Sequence, residues 1–140
     1  MKISLKFDSV NIDWDEAVIL FERAPLGKRD PEKLRRAFEN SFIACFALDD
    51  KKLVGAARII SDGEYQAGVC DVVVLPEYQG KGVGKMMMEA MLARINVPTM
   101  ILFATPGKEG FYQKFGFSRL KTGMAKFSDH NERRARGFIE

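Results

Sequence analysis

The run Val72-Val73-Val74-Leu75-Pro76-Glu77-Tyr78-Gln79-Gly80-Lys81-Gly82-Val83-Gly84-Lys85 constrains the fold more than any other, because a β-branched segment passes through a glycine-rich turn into an amphipathic stretch. Strand, loop and helix must follow in that order. Gly80, Gly82 and Gly84 expose backbone N–H groups with no Cβ in the way, and the helix that follows adds unpaired amides and a partial positive charge. Lys81 and Lys85 add the same sign. The local chemistry therefore predicts an anion site with phosphate as its natural occupant.

Spacing separates the phosphate-binding families. A Walker loop needs a glycine, four residues, then Gly-Lys-Ser/Thr; counted from Gly80, Lys85 stands where the second glycine belongs and Met86 follows it. No hydroxyl is left for magnesium. The dinucleotide fingerprint also puts Lys85 at its last glycine, and no carboxylate follows at the end of a second strand. What remains is Gln-x-x-Gly-x-Gly, read as Gln79, Gly82 and Gly84.

In its strand-loop-helix setting, that pattern resembles the acetyl-coenzyme A loop of the GCN5-related N-acetyltransferase (GNAT) superfamily. Downstream, Thr99-Met100-Ile101-Leu102-Phe103-Ala104 reads as a buried strand, and Gly110-Phe111-Tyr112-Gln113-Lys114-Phe115-Gly116-Phe117 resembles the family's second signature, a short helix carrying F-Y-x-x-x-G-F. The resemblance covers residues 42–117 well and the C-terminal tail hardly at all. It implies an α/β fold: a mixed, mostly antiparallel central sheet splayed between strands four and five and flanked by helices, in one domain over residues 1–140.

The chain's 140 residues, 46% of them apolar, can bury one substantial core. A net charge of +3, with 22 basic residues interleaved among 19 acidic ones, argues against dedicated nucleic-acid binding. No apolar run reaches the length of a membrane span, and the N-terminus lacks the apolar core of a secretory signal, so a cytoplasmic protein is expected. Cys45 and Cys70 sit in strand-like sequence and read as buried, inert thiols. One histidine and two distant cysteines supply no ligand spacing, so no metal is expected. His130 lies in a polar tail, which leaves no Ser-His-Asp or Cys-His device for a covalent acyl-enzyme.

Periodicity places the other elements. Ile3-Ser4-Leu5-Lys6-Phe7 alternates as a half-buried strand; Asp13 and Asp30-Pro31 open two helices whose inward faces carry Val18 and Phe21, then Leu34, Ala37 and Phe38. Residues 42–48 and 53–60 make a hairpin across Asp49-Asp50-Lys51-Lys52, residues 68–75 the next strand, and residues 85–95 a helix with a methionine-rich core stripe. Residues 118–127 are expected to form a final strand or hairpin, and residues 128–140 to fray.

The family likeness assigns roles. Val72, Val73 and Val74 would present their strand to the pantetheine arm, with a Val74 amide available to the oxyanion. The pyrophosphate would rest on amides of Gly80, Lys81, Gly82, Val83 and Gly84, with Gln79 shaping the turn, Lys85 near the phosphates, and Phe111 and Lys114 on the coenzyme side. Tyr112 would protonate the departing thiolate. Asp71 is read either as the general base or as a structural acceptor, with Glu64 and Glu109 as fallback bases. An asparagine that many relatives carry after the fifth strand is missing from Thr105-Pro106-Gly107-Lys108-Glu109-Gly110.

The implied reaction is acetyl transfer from acetyl-coenzyme A to a primary amine, of a small molecule first and of a protein lysine or N-terminus second. Trp14, Phe21, Arg58, Asp62, Tyr65 and Met124 are candidate pocket residues, and a homodimer is possible. A catalytically silent acetyl-coenzyme A sensor would keep the loop and lose the chemistry. The basic tail, with Lys121, Lys126, Arg133, Arg134 and Arg136, reads as a solvated segment before it reads as an interaction module.

Overall fold

Five strands, β1 (Ile3–Lys6), β2 (Ile43–Asp49), β3 (Lys52–Ser61), β4 (Gln66–Val74) and β5 (Thr99–Ile101), form one sheet in the order β1-β2-β3-β4-β5. The first three pairings are antiparallel and β4–β5 is parallel. The computed structural model describes all 140 residues, as two compact units, Met1–Leu102 and Phe103–Glu140. No helix is long and apolar enough to cross a membrane.

In the first unit, α1 (Trp14–Arg23) starts where the Asp13 carboxylate accepts the N–H groups of Asp15 and Glu16. The next helix, α2 (Pro31–Glu39), starts where Asp30 accepts the Lys33 N–H, with Pro31 at the position that has no amide to lose. Both cover one face of the sheet. Phe46 of β2 meets Phe38 at 5.1 Å and Trp14 at 6.0 Å between ring centroids. The opposite face belongs to α3 (Val83–Leu92), which buries Met87, Met88 and Met91 completely. Gly55 of β3 lies under this helix beside Ala47, at a point where a larger residue would meet the Met87 methyl.

In the second unit, α4 (Glu109–Gln113) ends when the Phe117 N–H reaches the Tyr112 carbonyl at 3.4 Å and the Gly116 N–H reaches that of Gln113 at 3.1 Å. Gly116 has φ 92°, the left-handed conformation that closes a helix this way. Further on, Phe103, Phe127 and Phe138 cluster edge to face, with the Arg133 guanidinium over two of the rings.

Four expectations need correction. The fifth strand stops at Ile101 instead of Ala104, because its ladder to β4 ends at Gly68–Ile101 and the later residues have no partner strand. Residues 118–127 contain no strand; Gly123 and the polar residues around it break the alternation. The tail holds α5 (His130–Ala135), secured by an Asp129–Arg133 pair at 3.2 Å and by Gly137 at φ 86°. Cys70 is exposed, whereas Cys45 is buried and its thiol is pushed up to about 12 by burial.

Gly55→Val tests the packing of α3 on the sheet. A Cβ there would stand 3.2 Å from the Val73 carbonyl oxygen, a backbone atom with little room to yield, and 3.3 Å from the Ala47 Cβ. The variant is expected to lose about 1–3 kcal/mol, read as a lower urea midpoint at unchanged slope.

Candidate active site

The site begins with an asymmetry in β4. On one side β4 pairs with β3 from Ala67–Ser61 to Val74–Gly55. On the other, β5 pairs only with Gln66, Ala67 and Gly68. From Val69 onward that second edge has no strand beside it. The Leu75 N–H donates to the Val54 carbonyl at 2.9 Å, which sets the alternation: Val73 and Asp71 turn their backbone groups toward β3, while Val72 and Val74 turn theirs to the open edge.

Within that edge the three valines differ. Val72 offers both N–H and C=O, but the Val74 carbonyl already accepts from Gln79 Nε2 at 2.9 Å, so Val74 offers its N–H alone. Val73 offers neither, since its backbone belongs to the β3 ladder and its side chain is buried. A bulge displaces Cys70, since Asp71 pairs with Arg58 while Val69 pairs with Ile59. The extra residue bends β4 and turns the Cys70 side chain outward, the reason this cysteine is not in the core.

The glycine turn, a cradle of backbone amides, follows directly. Leu75 leads into a single 3-10 turn, Pro76–Tyr78, and Gln79 ties the next residues back to the strand end. Gly80 and Gly82 then take φ of 75° and 86°, which only glycine adopts without strain. The first helical bond of α3 is Met86 N–H to the Gly82 carbonyl, so no amide from residue 80 to 85 donates to another backbone group. Gly82 caps the helix without a side chain, leaving that cluster of donors bare. Val83 buries its side chain and can serve only through its amide. Lys85 pairs with Glu89 at 3.7 Å and Lys81 lies 5.9 Å from the centre of the Tyr78 ring, both near the cradle and solvent-exposed.

A second constellation lies on the α1–α2 face of β4, where Asp71 is 4% exposed. Arg58 of β3 donates Nε to Asp71 Oδ2 at 2.5 Å, and Arg29 of the α1–α2 loop donates Nη2 to Oδ1 at 3.3 Å. Both oxygens are engaged. Phe21 supports the Arg29 guanidinium, 4.6 Å from its ring centre, and the Ser41 hydroxyl lies 3.4 Å from Arg58 Nη1. Arg29 escapes local reading, because nothing in Gly27-Lys28-Arg29-Asp30 signals a bond to a residue on another strand.

The remaining candidates are placed as follows. Asp62 accepts the N–H groups of Glu64, Tyr65 and Gln66, and those bonds, Tyr65 first, hold its carboxyl below the ordinary range. It shapes the β3–β4 turn. Backbone amides, its own first and then that of Gly107, likewise hold the Glu109 carboxyl low. Tyr112, Phe111 and Lys114 belong to the second unit, where Phe111 packs on Tyr112 at 5.0 Å and on Phe115 at 5.3 Å and Lys114 is exposed. No group of three or more His, Cys, Asp or Glu side chains is arranged to hold a metal.

Comparison with known proteins gives a consistent result. Residues 40–119 match a family model described as an acetyltransferase (GNAT) domain. The chain is 34% identical over 121 residues to an uncharacterized N-acetyltransferase, ycf52, of Pyropia yezoensis, covering 81% of this chain and 70% of that protein. It is 34% identical to the chloroplastic serotonin N-acetyltransferase 2 of Oryza sativa, covering 82% of this chain and 61% of that protein. Among solved structures, a GNAT family acetyltransferase from Streptococcus pneumoniae aligns with a TM-score of 0.76 at 27% identity, covering 91% of this chain and 98% of the other.

Two variants test this geometry. Saturating acetyl-coenzyme A, at about 100 times its Kd, is expected to raise Tm by roughly 8 °C, and Gly82→Val to abolish the shift, because a β-branched residue resists φ near 86° and the cradle cannot keep its shape. An unshifted wild-type melting curve would count against the cradle. Asp71→Asn leaves Arg58 and Arg29 without their counter-charge and is expected to lower stability by about 3 kcal/mol, measured by urea titration.

Proposed function

The chain belongs to the GNAT acetyltransferase family, and from that premise we propose that it transfers the acetyl group of acetyl-coenzyme A to the primary amine of a small molecule by direct attack in a ternary complex. The observation that carries this reading is the continuity of the bare amides at residues 80–85 with the unpaired edge of β4. A diphosphate fits the first, because those donors have no protein acceptor and the α3 terminus favours negative charge. An extended amide-bearing arm fits the second, where Val72 N–H and C=O and the Val74 N–H stand ready to pair as with another strand.

The chemistry needs a neutral amine, a polarised thioester carbonyl and a proton for the thiolate. A C–N bond forms as the C–S bond breaks. The developing oxyanion is assigned to an amide of the same open edge, that of Val74 or its neighbour Val72, whichever the arm leaves unpaired, and the Tyr112 phenol supplies the proton that leaves with the thiolate, a role resting on the likeness of residues 111–117 to the family signature. We assign Asp71 the structural alternative to the general base. Both of its oxygens accept from guanidiniums, Oδ2 from Arg58 and Oδ1 from Arg29, which commits the carboxylate to those two side chains. Its task is to position Arg58 and Arg29.

Both units are assigned to one catalytic domain over residues 1–140, since the family match crosses from the first unit into the second. A small-molecule acceptor agrees with the name of the Oryza sativa relative, a serotonin N-acetyltransferase. The sensor alternative would keep the cradle without turnover.

Thiol release from acetyl-coenzyme A over a panel of primary amines separates enzyme from sensor. In that assay Tyr112→Phe is expected to lower kcat about 100-fold while the acetyl-coenzyme A Kd stays within about threefold. Wild-type turnover in the variant would assign the phenol to packing.

A further inference from the structure

We propose that the acceptor is a primary amine that also carries an anionic group, carboxylate or phosphate, and that Lys28, Arg29 and Lys33 hold this group. The inference rests on the acetyltransferase reading and narrows its substrate. A cavity of about 320 Å3 lies between the α1–α2 loop and the first turns of α2, lined by Lys28, Arg29, Asp30, Lys33, Leu34 and Ala37. It has the size of a small metabolite. Leu34 and Ala37 give it an apolar wall, and the rest of its lining is charged.

That charge is positive on balance, three cations against the one carboxylate of Asp30. Asp30 is already committed, its Oδ2 accepting the Lys33 N–H at 3.0 Å as the cap of α2. Lys28 and Lys33 make no ion pair, and neither ammonium donates to a protein acceptor. Arg29 reaches Asp71 through Nη2 only, at 3.3 Å, which holds the guanidinium in place without using its other donors. Three cations around one apolar-walled cavity, one of them fixed by a buried carboxylate, form a receptor for an anion.

Its position fits the reaction. Asp71, which Arg29 touches, immediately precedes Val72, whose N–H and C=O face the open edge of β4. An acceptor anchored in this cavity therefore places its amine toward the part of β4 assigned to the thioester. The same cations disfavour an ammonium and so favour the neutral nucleophile. A larger cavity of about 480 Å3, lined by Phe7, Phe42 and Arg94 among others, opens at the start of β2. It also approaches Asp71, through Ser41 beside Arg58, but its charged lining is Asp8 and Glu39 against Arg94 alone, so it gathers no positive charge for an anion.

The test uses matched pairs of amines with acetyl-coenzyme A and the full chain: 5-hydroxytryptophan against serotonin, tryptophan against tryptamine, and glucosamine 6-phosphate against glucosamine. The anionic member is expected to show kcat/KM about 10- to 100-fold higher in at least one pair, the pair that responds telling carboxylate from phosphate. Lys33→Ala is expected to reduce that preference about tenfold, and Lys33→Arg to restore it, with the acetyl-coenzyme A Kd from calorimetry unchanged in both. Neutral members turned over as well as their partners, an anionic preference insensitive to Lys33→Ala, or no turnover of any anionic member would each overturn the assignment. Turnover and calorimetry on the wild type separate the two failures: thiol release with any amine of the panel leaves the acetyltransferase reading standing, whereas acetyl-coenzyme A bound without turnover, or not bound at all, removes both.

Discussion

An interior strand with one vacant edge is the constraint on which the site depends. Backbone N–H and C=O groups in a sheet need partners, and an open edge usually pairs with whatever extended chain is at hand. Here β5 abandons β4 after Gly68, while β3 continues to Val74. The Gln79 side chain caps the Val74 carbonyl, one of the groups left over, and by doing so anchors the loop that carries Gly80 and Gly82. The vacancy and the amide cradle are consequently one structure: the strand end that cannot pair is the fixed point from which the glycine turn is built.

The opposite face of β4 solves a different problem. Burying the Asp71 carboxylate is unfavourable unless its charge and lone pairs are met, and Arg58 and Arg29 meet them from two elements far apart in sequence. Arg58 comes from the neighbouring strand and adds little to the topology. Arg29 comes from the α1–α2 loop, so its bond, with the Phe21 ring beneath the guanidinium, determines where that loop lies over the sheet. The bulge at Cys70 stands next to Asp71 in the chain and supplies the local bend there.

These two features differ in how far they could be read from the amino acids. The cradle was legible because its causes are local: glycines where φ must be positive, a β-branched run before them and a methionine stripe after them. The hairpin and both N-terminal caps were legible for the same reason. The early end of β5, the displacement of Cys70 and the Arg29–Asp71 bond depend on register between distant segments, which no window of the chain contains. Residues 118–127 misled in the other direction, because apolar content without sustained alternation is not a strand signal. The role proposed for Tyr112 rests on likeness to a family signature, a different kind of warrant from the physics that places the cradle.

In the proposed reaction, the charge around Asp71 also bears on how an acceptor amine would be neutral. Removing a proton from a group with pKa near 10 at pH 7 costs about 4 kcal/mol, and a neighbouring carboxylate without counter-charges would deepen that cost by stabilising the ammonium. Asp71 is the one buried carboxylate, and two guanidiniums hold it. The pair of arginines leaves the cluster with an excess of positive charge, raised further by Lys28 and Lys33 on the cavity wall. An environment of that sign lowers the amine's affinity for its extra proton without needing a base in contact with the nitrogen, and solvent can then carry the proton away. Electrostatic bias can thus take over much of the work that a single general base would otherwise perform.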